Sequence, residues 1–197
     1  MPLIASRASG AASSFGGLRT FGVPNSYESI ETLNGTGSST SFTFSSIPQT
    51  FQHLQIRGYA MAVGGGTARD YVRVHVNGTT SSIYTNHWVY VANATVTVQS
   101  DNTNTKMYGN SARGGTQFSS NDVGVMIIDI HDYASTTKNK TFYMHSGWAP
   151  NSAPNMYCQL GSGMPLTTSA ITSITLGNDN NNFATNSQWA LYGIKGS

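Results

Sequence analysis

The sequence predicts an all-β fold: an antiparallel β-sandwich, jelly-roll-like, with an extended N-terminal arm. Three observations lead there. Only 9% of the 197 residues are charged, and Ser, Thr, Asn and Gly supply much of the rest. Aromatic residues still reach 11% and the formal net charge is +2. The chain therefore lacks the low hydrophobicity and high charge that keep a polypeptide unfolded. Short runs alternating with period two recur between clusters of small turn-forming residues, the pattern of strands joined by turns. A chain of this length suits one β domain, and at this size about 70% of the unfolded surface is buried without a staple.

Residues 1–26 form the arm and residues 27–197 the sandwich. Met1–Ser26 holds Arg7 and Arg19 but no acid, and spaces Phe15, Leu18 and Phe21 among small residues with no sustained period. A plain linker has no need of such apolar anchors, so this segment reads as an arm that orders against a neighbour. Strands begin at Tyr27–Leu33, whose side chains alternate, and a Gly/Ser/Asn turn follows. Ser41–Ile47 places Phe42 and Phe44 on one face before Pro48 ends the run. Phe51–Val63 is the clearest alternation: Leu54, Ile56, Gly58 and Ala60 face one way, His53, Gln55, Arg57 and Tyr59 the other. Tyr71–Val76 repeats it with Val72, Val74 and Val76.

Asn77-Gly78 tolerates positive φ at both residues and predicts a hairpin into Ser81–Tyr90, then Ala94–Val98. Asn102–Thr116 is polar and reads as a long loop with a short strand near Met107-Tyr108. Val123–Ile130 is the most apolar run and is expected at the centre of a sheet. Lys140–Trp148, Met156–Leu160, Ile171–Leu176 and Gln188–Ile194 complete about ten strands, with no helix longer than a turn or two.

The composition leaves little room for catalysis. Asp129 and His131 lie two apart, a spacing that would let a carboxylate orient an imidazole on a strand. No nucleophile elbow accompanies them. No P-loop, dinucleotide fingerprint or Cys-x-x-Cys pair is present, so no enzyme activity, cofactor or metal is expected. Gly177–Asn182 and Asp101–Asn104 hold one carboxylate each, too few for calcium, and read as Asx turns. Tyr84, His87, Trp88 and Tyr90 offer an aromatic set for stacking on a sugar, or equally for a core. The lone Cys158 excludes an internal disulfide and is expected to be a half-buried apolar residue. The sequence pI is 8.7, but the ten Lys and Arg residues are scattered, so no nucleic-acid partner is expected. Sequons at Asn34, Asn77, Asn93 and Asn139 follow from the abundance of Asn and Thr. Met1–Phe21 lacks the apolar run of a leader, and no membrane span is visible, so synthesis in a cytoplasm and no membrane partner are expected.

Four stretches carry a resemblance. They are SYESIETL (Ser26–Leu33), FTFSSIPQTFQHLQIRG (Phe42–Gly58), VMIIDIHDYASTTKNKTF (Val125–Phe142) and SAITSITLGNDNNNFATNSQWALYGIKG (Ser169–Gly196). Together they resemble a family of virion structural proteins of tailed phages, frequent among cyanophages and other aquatic phages. The resemblance implies a capsid cement (decoration) protein on the outside of the head, with no catalytic motif. Its expected partners are the major capsid protein and its own copies, as a homotrimer. Arg7, Phe15, Leu18, Arg19 and Phe21 are then the expected assembly contacts of the arm. The alternative is a tail or fibre component that binds host-surface glycans.

Overall fold

The computed structural model describes residues 26–63, 70–112, 123–148 and 156–196. The arm residues Arg7, Phe15, Leu18, Arg19 and Phe21 lie outside them. Among the described residues there are fourteen strands and no helix. One sheet has eight, in the order β1 (Tyr27–Asn34), β14 (Gln188–Ile194), β3 (His53–Ala60), β9 (Gly124–Ile130), β10 (Phe142–Trp148), β11 (Tyr157–Pro165), β6 (Tyr84–Ala92) and β7 (Thr95–Asn104). The second has four: β2 (Ser41–Phe44), β12 (Ile174–Asn178), β5 (Asp70–Val76) and β8 (Met107–Ala112). β4 (Ala62–Val63) and β13 (Asn182–Phe183) form a small ribbon. All pairings are antiparallel.

The core lies between the two sheets. Leu54 and Ile56 of β3, Ile128 and Ile130 of β9, and Phe142 and Met144 of β10 face Phe44, Val72, Val74, Ile174 and Leu176 of the small sheet. This is the alternation expected for β3 and β5, and β9 is indeed interior to its sheet. Met126 fills the space over Gly109, where a Cβ would sit 2.0 Å from Met126 Cε.

The hairpin expected at Asn77-Gly78 does not form. Both residues do adopt positive φ, 51° and 66°. But β5 pairs with β12 and β8, while β6 belongs to the other sheet. Asn77 explains the switch. Its Oδ1 accepts the Thr172 and Ser173 amides and its Nδ2 donates to the Ala170 carbonyl, drawing β12 to β5. Tyr84 pins the exit from the turn: its hydroxyl donates to the Thr79 carbonyl and accepts the Val76 amide. The polar run after Asn102 also departs from expectation, because β7 extends to Asn104 and β8 follows after a two-residue turn.

Lys140 is fully buried with its ammonium donating to the Thr168 carbonyl at 2.6 Å. Burial pushes its pKa below the ordinary 10.5. The folded chain therefore binds this proton less firmly than the unfolded chain, and its contribution to stability rises with pH up to about 10.5. Lys140→Met is expected to be more stable than wild type at pH 7, with an advantage that shrinks as pH approaches 10. Urea unfolding of both proteins across that range checks it; an advantage that grows with pH contradicts it.

Candidate functional site

On the face of the large sheet that points away from the core, two adjacent rows are largely apolar and lie beside a third row of Gln55, Asp129, Tyr143, Ser162, His87 and Ser100. An antiparallel sheet with one wet face normally alternates apolar-in, polar-out. Here the two apolar rows break that rule. Register places Arg57, Ile127, His145, Leu160, Val89 and Val98 side by side across six strands. The next outward row reads Tyr59, Val125, Gly147, Cys158, Val91 and Val96. Val96, Val98 and Val125 are 64%, 65% and 55% exposed. At the usual strand spacing the rows run about 24 Å across the sheet. Contiguous exposed apolar surface is a feature of interaction sites.

Small residues shape its centre. Gly147, Cys158 and Ala190 leave a shallow depression of about 410 Å³, walled by Tyr59, Val125, Ile127 and Tyr192. Cys158 is exposed there rather than half-buried, because its position on β11 alternates with the inward Gln159. Arg57 is the main charge at the margin, and its guanidinium lies 5.6 Å from the Tyr27 ring and 5.9 Å from Tyr192. Its Nε donates to Gln55 Oε1, and Gln55 Nε2 donates to Asp129 Oδ1 at 2.6 Å. Arg57, Gln55 and Asp129 thus satisfy one another on β3 and β9, beside the two apolar rows.

Sequence-predicted residues scatter relative to this surface. Asp129 is bound to Gln55, whereas His131 lies past the end of β9 with its ring 4.9 Å from His53. The two do not meet. Asp132, not Asp129, approaches a histidine: its amide donates to His53 Nδ1 at 3.0 Å. The Lys138 hydrogen bond holds the Asp132 carboxyl below its ordinary value. Among the described residues no hydroxyl or thiol hydrogen-bonds to either imidazole, so the parts of an acyl-transfer site are not assembled.

The 177–182 segment is held by side chains from elsewhere in the chain. The amides of Asn180 and Asn181 donate to buried Asp70, and Asp179 Oδ1 accepts Lys106. Among the described residues no group of three or more His, Cys, Asp or Glu is placed to hold a metal ion. The aromatic set divides. Tyr84 is core, His87 points outward, and Trp88 and Tyr90 take the inner side of β6. Comparison with protein-family models, with curated proteins and with solved structures finds no match in any of the three.

Proposed function

We propose that the chain is a capsid cement protein of a tailed phage, seated as a trimer on the outside of the head. The observation that carries this reading is the pair of apolar rows on the outer face of the large sheet. Its occupant is the outer surface of the assembled shell, formed by the major capsid protein. A low-charge partner suits it, because those rows offer a neighbour almost no ion-pairing partners. Binding only the assembled shell stabilises that state by mass action.

Edge chemistry supports assembly with further copies. β1 is guarded by Glu28 and Glu31, and Glu28 pairs with Lys195 at 2.9 Å. β7, at the opposite edge, runs ten residues with Asp101 as its one charge and no Pro. An edge that long and that unguarded invites a partner, and a repeated head-to-tail contact closes into a ring. The resemblance of four stretches to phage virion proteins points the same way. Cryo-electron microscopy of the virion tests the proposal. Threefold density at hundreds of copies per head is expected; density confined to the tail, at a few to a few dozen copies, overturns it.

A further inference from the structure

We propose that the cleft between the β6–β7 hairpin and the β8 side of the small sheet is a saccharide-binding site, built for a neutral pyranose. Its construction starts with alternation. Val72 and Val74 of β5 face the core, so Tyr71 and Arg73 face out. Tyr108 stands opposite Arg73 on β8, which brings its ring 5.8 Å from Tyr71, edge to face. β8 is the last strand of its sheet, and the larger sheet continues past it. Asn86 clips the two together: its Nδ2 donates to the Lys106 carbonyl at 2.9 Å and its Oδ1 accepts the Tyr108 amide at 3.2 Å. Two residues along β6, the Trp88 ring then lies 6.2 Å from Tyr108. Gln99 and Asp101 of β7 supply one rim, and Asp179 the other. The cleft measures about 480 Å³, within the range of small-molecule sites.

Three half-buried rings and two carboxylates define what fits. Aromatic faces are electronegative and attract electropositive C–H groups. A pyranose has such a C–H face, ringed by hydroxyls that both donate and accept. The carboxylates are held before any ligand arrives. Asp179 Oδ1 accepts Lys106 Nζ at 2.8 Å and lies 3.7 Å from Arg73 Nη1. Asp101 Oδ2 accepts Asn104 Nδ2 at 3.0 Å. Fixed acceptors reduce the ordering cost of binding.

The charges select a neutral ligand. Arg73 and Lys106 both face Asp179, and with Asp101 on the opposite rim the four charges sum to zero. Burial draws the Lys106 ammonium down, but Asp179 and Tyr108 together outweigh this and leave it above its ordinary value. His75, on the same face of β5, is pushed below 6.5 by burial and by Arg73 and Lys106, so it adds little charge at pH 7. An acidic sugar would meet a carboxylate on either rim. The site lies across the large sheet from Ile127 and Val98, and stands whether or not the chain decorates a head.

The test is a titration of the full chain, read by the Trp88 indole NMR resonance. The probes are the methyl pyranosides of glucose, galactose and mannose, N-acetylglucosamine, and glucuronate. At least one neutral probe is expected to saturate the shift with a Kd on the order of 1 mM, and glucuronate to bind about tenfold more weakly or worse. Tyr108→Ala is expected to weaken the neutral probe about tenfold or more, read by the same resonance. Because Tyr108 also packs on β8, the exposed Gln99→Ala with Asp101→Asn is the second variant, with a loss of about fivefold and an unchanged circular dichroism spectrum. No saturable shift from any neutral probe up to about 100 mM, equal affinity for glucuronate, or full affinity in both variants overturns the site.

Discussion

Gly58→Ala is expected to lower the thermal midpoint by about 6–12 °C, the effect of roughly 3 kcal/mol in a domain of this size. Gly58 sits on β3 beside Trp189 of β14, and the Trp189 indole crosses the place where a side chain would begin. A Cβ there would fall 2.2 Å from Trp189 Cε3, 2.5 Å from Cδ2 and 2.7 Å from the Gln188 carbonyl oxygen. The ring has nowhere to go. Trp189 is fully buried and packs edge-on to Phe183 at 6.3 Å, while the carbonyl belongs to the paired strand. Accommodating one methyl therefore means shifting a large core side chain or the β3–β14 ladder itself. Trp189→Phe in the same background is expected to recover part of the loss, because a smaller ring vacates the contact. The two substitutions should couple by more than about 1 kcal/mol in a double-mutant cycle. Scanning calorimetry on the four proteins decides it. A midpoint within about 2 °C of wild type would mean that the indole is not locked against the glycine.

How much of this was legible in the sequence depended on whether the signal was local. The face that β3 and β5 bury follows from alternation, and β14 begins and ends at the residues its pattern marks, Gln188 and Ile194. The turn at Asn77-Gly78 was legible as a turn, since positive φ is a property of those two residues. What it joined was not. Pairing was decided by the Asn77 side chain and the distant 170–173 segment. The site candidates divide the same way. Tyr84, His87, Trp88 and Tyr90 are neighbours in the chain, yet a strand sends them to the core, the outer face and the sheet margin. The cleft instead gathers Tyr71, Trp88 and Tyr108 from three strands and Asp179 from the loop after β12, a grouping that only sheet order creates. β9 shows the other side of the problem. Its apolar run read as a strand at the centre of a sheet, and it lies there. One face does meet the core, but among the described residues nothing covers Val125 or Ile127.

That open face gives the prediction with the largest consequence for function. Val125→Lys combined with Ile127→Lys is expected to leave the isolated protein folded and to cut its occupancy on heads to less than about a tenth. Both side chains point outward on β9, at 55% and 39% exposure, so each ammonium remains hydrated in the free protein. Surface changes of this kind usually move stability by about 0.5 kcal/mol or less. Docking reverses the balance, because the two apolar rows hold no carboxylate and Asp129 in the next row already accepts Gln55. An unpaired charge taken out of water costs several kcal/mol, and about 1.4 kcal/mol is already tenfold in affinity. In a trimer the penalty recurs at each contact, and the gain from linking three weak contacts is lost with it. Stripped heads incubated with either protein, pelleted and quantified, give the occupancy; circular dichroism and sedimentation give the fold and the oligomer. Ile128→Lys serves as the contrast, since that side chain is fully buried and the change should unfold the domain. Heads decorated to full occupancy by the double-lysine protein would remove the outer face from the contact and leave the shell to be gripped by some other part of the chain.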